Sequence, residues 1–141
     1  MKVALETTDT PDADELSFVG AQLAAYNDAE VGPSGRRALA VLVRDETGGA
    51  VVAGISGYTA WGWLYVQWLW VDAALRGQGM AGRMLDAAEA EARRRGCHGS
   101  LIDTFSPVAR KTYERQGYSV FGELPDFPVG RRRSFLQKRL D

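Results

Sequence analysis

The stretch from Trp63 to Gly96 constrains the fold of this chain more than any other. Residues 63–71 are almost all apolar, which is typical of a strand with both faces covered. A turn with two glycines, Gly77 and Gly79, follows the strand, and apolar residues at helical spacing then run up to Gly96. The first N–H groups of such a helix have no intrahelical acceptor. The order strand, glycine turn and helix therefore predicts a site for an anion.

Arginines on both sides of this turn indicate which anion it holds. Arg76 precedes the glycines, and Arg83 lies in the first helical turn. A cation at that end opposes the helix dipole, so Arg83 is better explained by an anionic ligand in front of the helix than by helix stability. We interpret the site as one for a pyrophosphate.

Two overlapping motifs compete at this turn. Residues 76–81 fit Arg-x-x-Gly-x-Ala, and residues 77–82 fit Gly-x-Gly-x-x-Gly, the dinucleotide-binding fingerprint. Asp103 even lies 21 residues after the last of these glycines, near the distance at which a ribose-binding acid is expected. A dinucleotide fold needs several more βαβ units, however, and residues 104–141 supply only one short helix and two strands. A dinucleotide-dependent oxidoreductase therefore stays as the less favoured alternative.

The remaining patterns predict a mixed α/β fold. The expected strands are residues 3–8, 37–45, 50–61, 63–71, 100–104, 118–122 and 134–139. Helices are expected from Thr10-Pro11 to the break at residues 32–35, from the glycine turn to Gly96, and from Ser106-Pro107 to Gly117. The order β-α-β-β-β-α-β-α-β-β predicts an α+β mixed sheet with helices on both faces.

Length and composition exclude several classes of function. The chain has 141 residues and a net charge of -1, which suits one domain over residues 1–141 and gives no electrostatic case for nucleic acid or an anionic membrane. No apolar run is long enough to span a bilayer and the first residues lack a signal-peptide core, so a cytoplasmic location is expected. The single Cys97 excludes an internal disulfide. With one cysteine and one histidine, His98, a Cys-based metal cluster and most zinc sites and catalytic triads are excluded as well.

On these motifs the chain resembles the GNAT superfamily of N-acetyltransferases. The segments that carry the resemblance are Leu69-Trp70-Val71, Arg76-Gly77-Gln78-Gly79-Met80-Ala81, Asp103-Thr104, Tyr113 and Gly117-Tyr118. The family motif Arg/Gln-x-x-Gly-x-Gly/Ala is met at Arg76, Gly79 and Ala81. The resemblance implies a GNAT-like, mostly antiparallel twisted sheet with one splayed pair of parallel strands, acetyl-CoA as cosubstrate, and no metal.

The resemblance also implies where acetyl-CoA binds. Its pyrophosphate is expected on the amides of residues 76–81, and its pantetheine is expected to pair like a strand with the end of the strand at residues 63–71. The implied cofactor-binding residues are Leu69, Trp70, Val71, Arg76, Gly77, Gln78, Gly79, Met80, Ala81 and Arg83.

The chemistry of acetyl transfer sets further requirements. It needs donors for the carbonyl oxygen, a proton for the departing thiolate, and removal of a proton from an ammonium whose free pKa is about 10.4. Backbone N–H groups around residues 69–71 can meet the first need. By the resemblance, Tyr113 is the proton donor to sulfur. A tyrosine packed in the core is the alternative role for the same residue.

The general base is left open by the sequence. Many relatives carry a carboxylate where this chain has Gln67, whose amide cannot take a proton. Asp103, at the end of the next strand, is the best titratable substitute, acting through a water. A local cap is its alternative role, and Asp72 is a weaker candidate for the base.

Three residues are candidates for the acceptor site. Tyr26 and Asn27, at the end of the first helix, occupy the region that lines this site in the resembled family. Trp68 is the third, although four tryptophans around one strand more often belong to a core. Residues 131–133 are three consecutive arginines. We interpret them as solvated charges that keep an edge strand from pairing with another chain, rather than as a site for an acidic acceptor or a CoA phosphate.

The sequence thus predicts an acetyltransferase that transfers acetyl directly in a ternary complex, with a small-molecule amine as acceptor. A peptide N-terminus or a lysine stays open as acceptor. Because Gln67 replaces the usual carboxylate, a non-catalytic acyl-CoA-binding module is the main alternative from another class. The exposed final strands leave a homodimer open.

Overall fold

The computed structural model describes residues 1–141, which form two compact units, Met1–Ser34 and Gly35–Asp141. The first unit contains helix α1 (Ala13–Val31). The second unit contains β1 (Arg37–Arg44), β2 (Val51–Ala60), β3 (Trp63–Val71), a short 3-10 helix (Ala73–Leu75), α2 (Met80–Arg94), β4 (Gly99–Thr104), α3 (Pro107–Arg115), β5 (Ser119–Pro125) and β6 (Arg132–Arg139). None of the helices combines the length and the apolar character that crossing a membrane requires.

The start of the chain differs from the prediction. Residues 3–8 form no strand, because every strand of the sheet comes from the second unit and a strand needs a neighbour for its backbone hydrogen bonds. Helix α1 begins after Asp12, not after Thr10. The Asp12 carboxylate accepts hydrogen bonds from the N–H groups of Asp14 at 2.9 Å and Glu15 at 3.1 Å. An aspartate that satisfies two free amides is a strong helix start.

The sheet has the strand order β1-β2-β3-β4-β6-β5. All neighbours are antiparallel except β3 and β4, so the prediction of a mixed, mostly antiparallel sheet is confirmed. The predicted strands at residues 37–45 and 50–61 are present as β1 and β2, which pair as an antiparallel hairpin. The final strand is not at an edge, however, because β6 pairs with both β4 and β5. The interpretation of residues 131–133 as charges that protect an edge strand from pairing is therefore wrong.

The parallel pair β3 and β4 separates part of the way along. Pairing runs from Trp63 opposite Gly99 to Val66 opposite Ile102 and then stops, although both strands continue. The register of β2 and β3 shifts at the same level, where Gln67 is the extra residue of a β-bulge. A bulge bends its strand, which accounts for the separation.

Helix α2 positions the glycine turn by packing its apolar face on the sheet. The side chains of the buried core come from α2 and from most of the strands and include Ile55, Leu64, Val66, Met84, Leu85, Ala88, Ala92, Ile102 and Leu136. Leu64 and Val66, which share one face of β3, are buried, so the expectation that β3 is covered on both faces holds for that face only. It does not hold for Trp68 and Trp70, whose exposed fractions are 75% and 49%.

Candidate functional site

The turn predicted before α2 is present, and its two glycines have a backbone conformation that other residues rarely adopt. Gly77 and Gly79 have φ values of 75° and 77°, in the left-handed region where a side chain is strained. No atom lies within 4 Å of the place that a Cβ would take at either glycine, so the space beside the turn is open. A ligand can therefore approach the backbone closely.

The N–H groups of this turn are unused by the protein. No backbone acceptor takes a hydrogen bond from residues 77–81, and the first such bond at the start of α2 runs from Arg83 N to Gly79 O at 3.1 Å. Gly79 provides no side-chain cap. The helix dipole and this row of free donors favour binding of an anion at the N-terminus of α2.

Side chains of the turn hold it against the end of β3. Arg76 Nε donates to Val71 O at 3.0 Å, and Gln78 Nε2 donates to Ala74 O at 3.0 Å. Asp72, the weaker candidate for the base, accepts from Ala74 N at 2.9 Å and caps the 3-10 helix. The carboxylate of Asp72 therefore has a structural use.

A cavity of about 600 Å³ lies in front of the turn. Of the predicted cofactor-binding residues, Val71, Arg76, Gly77, Gly79, Met80, Ala81 and Arg83 line it. From α3, Thr112 and Arg115 also line it, and the sequence analysis did not single them out. Three arginines and one acid, Asp86, are its charged residues, and the carboxylate of Asp86 accepts a hydrogen bond from the side chain of Gln116. The cavity is thus predominantly basic.

A second cavity, of about 310 Å³, occupies the separation of β3 and β4, and we call it the splay cavity. The structure brings five predicted site residues together here, namely Trp68, Leu69, Trp70, Asp103 and Tyr113. Gln67 and Arg133 line the same cavity. Residues predicted from two strands and one helix therefore converge on one space.

Tyr113 lines the splay cavity although its exposed fraction is only 5%. Burial raises the pKa of its phenol to about 12, and the nearby negative charge of Asp103 contributes to the rise. Its helix starts where predicted, with Ser106 Oγ accepting from Ala109 N at 3.2 Å and proline at the first position. A phenol with this pKa keeps its proton at neutral pH, so Tyr113 is both a core residue and an available proton donor.

Asp103 does not cap the local backbone, which was its alternative role. Its carboxylate accepts a hydrogen bond from Tyr65 Oη at 3.3 Å and forms an ion pair with Arg133 Nη1 at 3.2 Å. Burial, together with the charge of Asp103, raises the pKa of Tyr65. The side chain of Arg133 also lies over the ring of Phe127, at 4.1 Å. Asp103 thus faces the cavity as one member of a polar cluster.

Tyr26 and Asn27, the two acceptor candidates from the first helix, lie in the C-terminal half of α1 in the first unit. Their role in acceptor binding stays a prediction. Cys97 is buried, and its burial raises the pKa of its thiol, which makes it a poor nucleophile.

A buried charged network behind the cavities was missed by the sequence analysis. Glu89 of α2 has an exposed fraction of 1% and accepts from Lys138 Nζ at 2.6 Å and from Tyr118 Oη at 3.0 Å. Lys138 also donates to Gln116 O at 2.7 Å, and the hydroxyls of Tyr118 and Ser100 lie 2.8 Å apart. Glu89 follows Leu85 by four residues and so belongs to the buried stripe of α2, a spacing that could have revealed it.

Known proteins of similar sequence and structure are acetyltransferases. A model of the acetyltransferase (GNAT) family matches residues 6–118. Acetyltransferase Atu2258 of Agrobacterium fabrum is 44% identical over 132 residues, which are 94% of this chain and 96% of that protein. Blasticidin-S acetyltransferase of Streptomyces morookaense is 41% identical over 93 residues, 65% of this chain and 68% of that protein. A crystal structure from Agrobacterium tumefaciens, assigned as an acetyltransferase, superposes with a TM-score of 0.92 at 42% identity and covers 97% of this chain and 99% of that one.

Proposed function

Because this chain belongs to the acetyltransferase (GNAT) family, we propose that it transfers acetyl from acetyl-CoA directly to the amine of a small molecule. The observation that carries the proposal is the row of unused N–H groups at residues 77–81, which faces a basic cavity next to the splay cavity. Residues 1–141 act as one acetyltransferase domain, which the match of the family model across both compact units supports.

The diphosphate of acetyl-CoA binds the turn at residues 76–81, where the amides of residues 77–81 are free. Arg76 and Arg83, with Arg115 of α3 opposite, supply the positive charge that two phosphates require. The pantetheine then extends along Leu69 to Val71. Of these residues, Val71 lines the cavity at the glycine turn, and Leu69 and Trp70 line the splay cavity. This path brings the thioester into the splay cavity.

The separation of β3 and β4 provides the donors for the acetyl carbonyl. Beyond Val66, the edge of β3 that faces away from β2 has no strand partner. Its N–H groups near Leu69 and Trp70 therefore donate to the carbonyl oxygen as this oxygen gains negative charge. Backbone donors suffice for this step, so it demands no particular side chain.

Tyr113 protonates the departing sulfur. The amine nitrogen forms a bond to the acetyl carbon, the carbon–sulfur bond breaks, and the thiolate of CoA takes the phenolic proton. The nitrogen then loses its second proton, which passes through water to the phenolate of Tyr113. A pKa of about 12 keeps that proton on Tyr113 until the thiolate forms. A thiol has an ordinary pKa of about 8.5, so the phenolate of Tyr113 is a stronger base than the thiolate of CoA and takes up the proton that the nitrogen loses.

Asp103 accepts the proton that the acceptor ammonium must lose, through a water. The carboxylate of Asp103, which forms an ion pair with Arg133, lines the splay cavity and attracts an ammonium there. Similarity to blasticidin-S acetyltransferase, whose name denotes acetylation of a small molecule, supports the choice of a small acceptor.

The release of CoA thiol on incubation with acetyl-CoA and an amine tests this function. We expect turnover with small amines and little with N-terminal or lysine peptides, and the reverse order would assign a peptide acceptor. Stabilisation by CoA and not by NAD, measured as a shift in unfolding temperature, is expected as well. Stabilisation by NAD would favour the dinucleotide alternative.

A non-catalytic acyl-CoA-binding module is the second candidate. Gln67, the extra residue of the bulge, faces the splay cavity where a carboxylate would serve as base. Tight binding of CoA without thiol release on any amine would favour this candidate.

A further inference from the structure

A third cavity, of about 230 Å³, lies between the loop that joins β4 to α3 and the start of β6, and we call it the arginine cavity. Its charged lining residues are Arg110, Arg131 and Arg132, and no acidic residue lines it. Three cations around one concave space concentrate a positive field there.

The neighbouring carboxylates leave this charge incompletely neutralised. Arg110 and Arg132 share the carboxylate of Glu123, at 2.8 Å and 3.4 Å, and Arg110 also contacts Glu114 at 3.2 Å. Arg131 forms no ion pair with any acidic residue of the protein. A guanidinium group can donate two parallel hydrogen bonds to the oxygens of a carboxylate or a phosphate, and Arg131 makes no such contact within the protein.

The arginine cavity adjoins the splay cavity. Thr104 and Phe105 line both, and Phe105 lies under the guanidinium of Arg133, at 5.2 Å. A molecule whose amine reaches the thioester at the splay therefore extends past Phe105 toward Arg131. The two ends of this path differ in charge, with the carboxylate of Asp103 at one and the arginines at the other.

We propose that the arginine cavity binds an anionic group of the acceptor, so that the acceptor is an amine that also carries a carboxylate or a phosphate-type group. This inference rests on the proposed acetyltransferase function. The position of β6 inside the sheet supports it, because arginines at the start of an interior strand have no edge to protect. Charge at both ends then orients the acceptor with its amine toward the acetyl group.

Matched pairs of amines test the proposal. Each pair has the same amine with and without the anion: 4-aminobutyrate with its amide, lysine with lysinamide, and phosphoethanolamine with ethanolamine. Thiol release gives kcat/KM for each member. We expect the anionic member to exceed its neutral partner by about tenfold or more, since a charge-assisted contact is lost in the neutral compound. The first two pairs report a carboxylate and the third a phosphate.

Arg131→Gln and Arg132→Gln should lower this ratio toward one. Arg139→Gln is the matched control, because Arg139 is on the same strand with a side-chain exposure of 68%, against 67% for Arg132, and pairs with Asp141 outside the cavity. The ratio is measured within one preparation, so a partly unfolded variant does not distort it. Arg139→Gln should keep the wild-type ratio.

The outcomes distinguish a failure of the anion site from a failure of the proposed acetyltransferase function. Equal turnover of anionic and neutral members, or a ratio that Arg131→Gln and Arg132→Gln leave unchanged, would overturn the anion site while the acetyltransferase function stands. Bound CoA with no thiol release on any amine would overturn the proposed function and, with it, this inference.

Discussion

Glu89 of α2 and Lys138 of β6 form an ion pair with 2.6 Å between Oε1 and Nζ, and Glu89 is almost completely buried. The pair ties the helix that begins at the glycine turn to the strand beside β4. Lys138 also reaches the carbonyl oxygen of Gln116 directly after α3, so one ammonium connects both helices that line the basic cavity.

Lys138→Met should destabilise the protein by about 3 to 5 kcal/mol, because it leaves the buried carboxylate of Glu89 without its cation. The free energy of unfolding in urea measures this. Arg139→Gln, which removes an exposed charge from the next residue, should change it by less than about 0.5 kcal/mol. The double variant Glu89→Gln with Lys138→Met should recover part of the loss, and a double variant no more stable than Lys138→Met would contradict the explanation.

Gly57→Ala should destabilise the protein by more than about 3 kcal/mol, since its Cβ would overlap the carbonyl oxygen of Tyr65 next to the bulge. Gly122→Ala in β5 is the matched control, because no atom lies within 4 Å of its Cβ position. We expect that control to stay within about 1 kcal/mol of the wild type. Similar unfolding midpoints for the two variants would show that the strands can move apart at Gly57 without cost.

Gly79→Glu should abolish binding of CoA, because it places bulk and negative charge against the diphosphate site. Gly49→Glu is its control: Gly49 has a φ of 75° against 77° for Gly79, and both have open space around the Cβ position. The two variants should lose similar stability through backbone strain. Isothermal titration with CoA should give binding for Gly49→Glu alone, and binding to Gly79→Glu would remove the turn from the site.

Tyr113→Phe should lower kcat by about 10² to 10⁴ and leave the affinity for CoA nearly unchanged, because it removes a proton donor and no binding contact. Thiol release under saturating substrates and titration with CoA measure the two quantities. Tyr118→Phe is the comparison, since Tyr118 is also buried but hydrogen-bonds to Glu89 and lines neither the basic cavity nor the splay cavity. A kcat for Tyr113→Phe close to that of the wild type would leave Tyr113 with a packing role only.

The pH dependence of kcat should show no falling limb below about pH 11, because the phenol of Tyr113 has a pKa of about 12 and stays protonated. Activity should instead rise with pH as the acceptor ammonium loses its proton. The contribution of Tyr113 to stability decreases at high pH. Its folded pKa lies above the unfolded value of about 10, so this contribution is complete below pH 10 and is lost as the pH rises toward 12. A falling limb near pH 9 that Tyr113→Phe removes would contradict this assignment.

The sequence by itself determined the features that depend on neighbouring residues. Gly77 and Gly79 predicted the turn before α2, and Ser106 with Pro107 predicted the start of α3, because turns and helix caps involve residues only a few positions apart. The family motif around them led to the fold class and to acetyl transfer, and both are confirmed. The same local reasoning failed at residues 3–8, whose alternation resembled a strand that has no partner.

Only the tertiary structure decided which distant residues meet. The ion pair of Asp103 with Arg133 joins positions 30 apart in sequence, and that of Glu89 with Lys138 joins positions 49 apart. Both depend on β6 lying next to β4 inside the sheet, a strand order that no local pattern encodes. The physical reason is that strand pairing is selected by burial and hydrogen bonding summed over the whole sheet, whereas caps and turns are selected within a few residues.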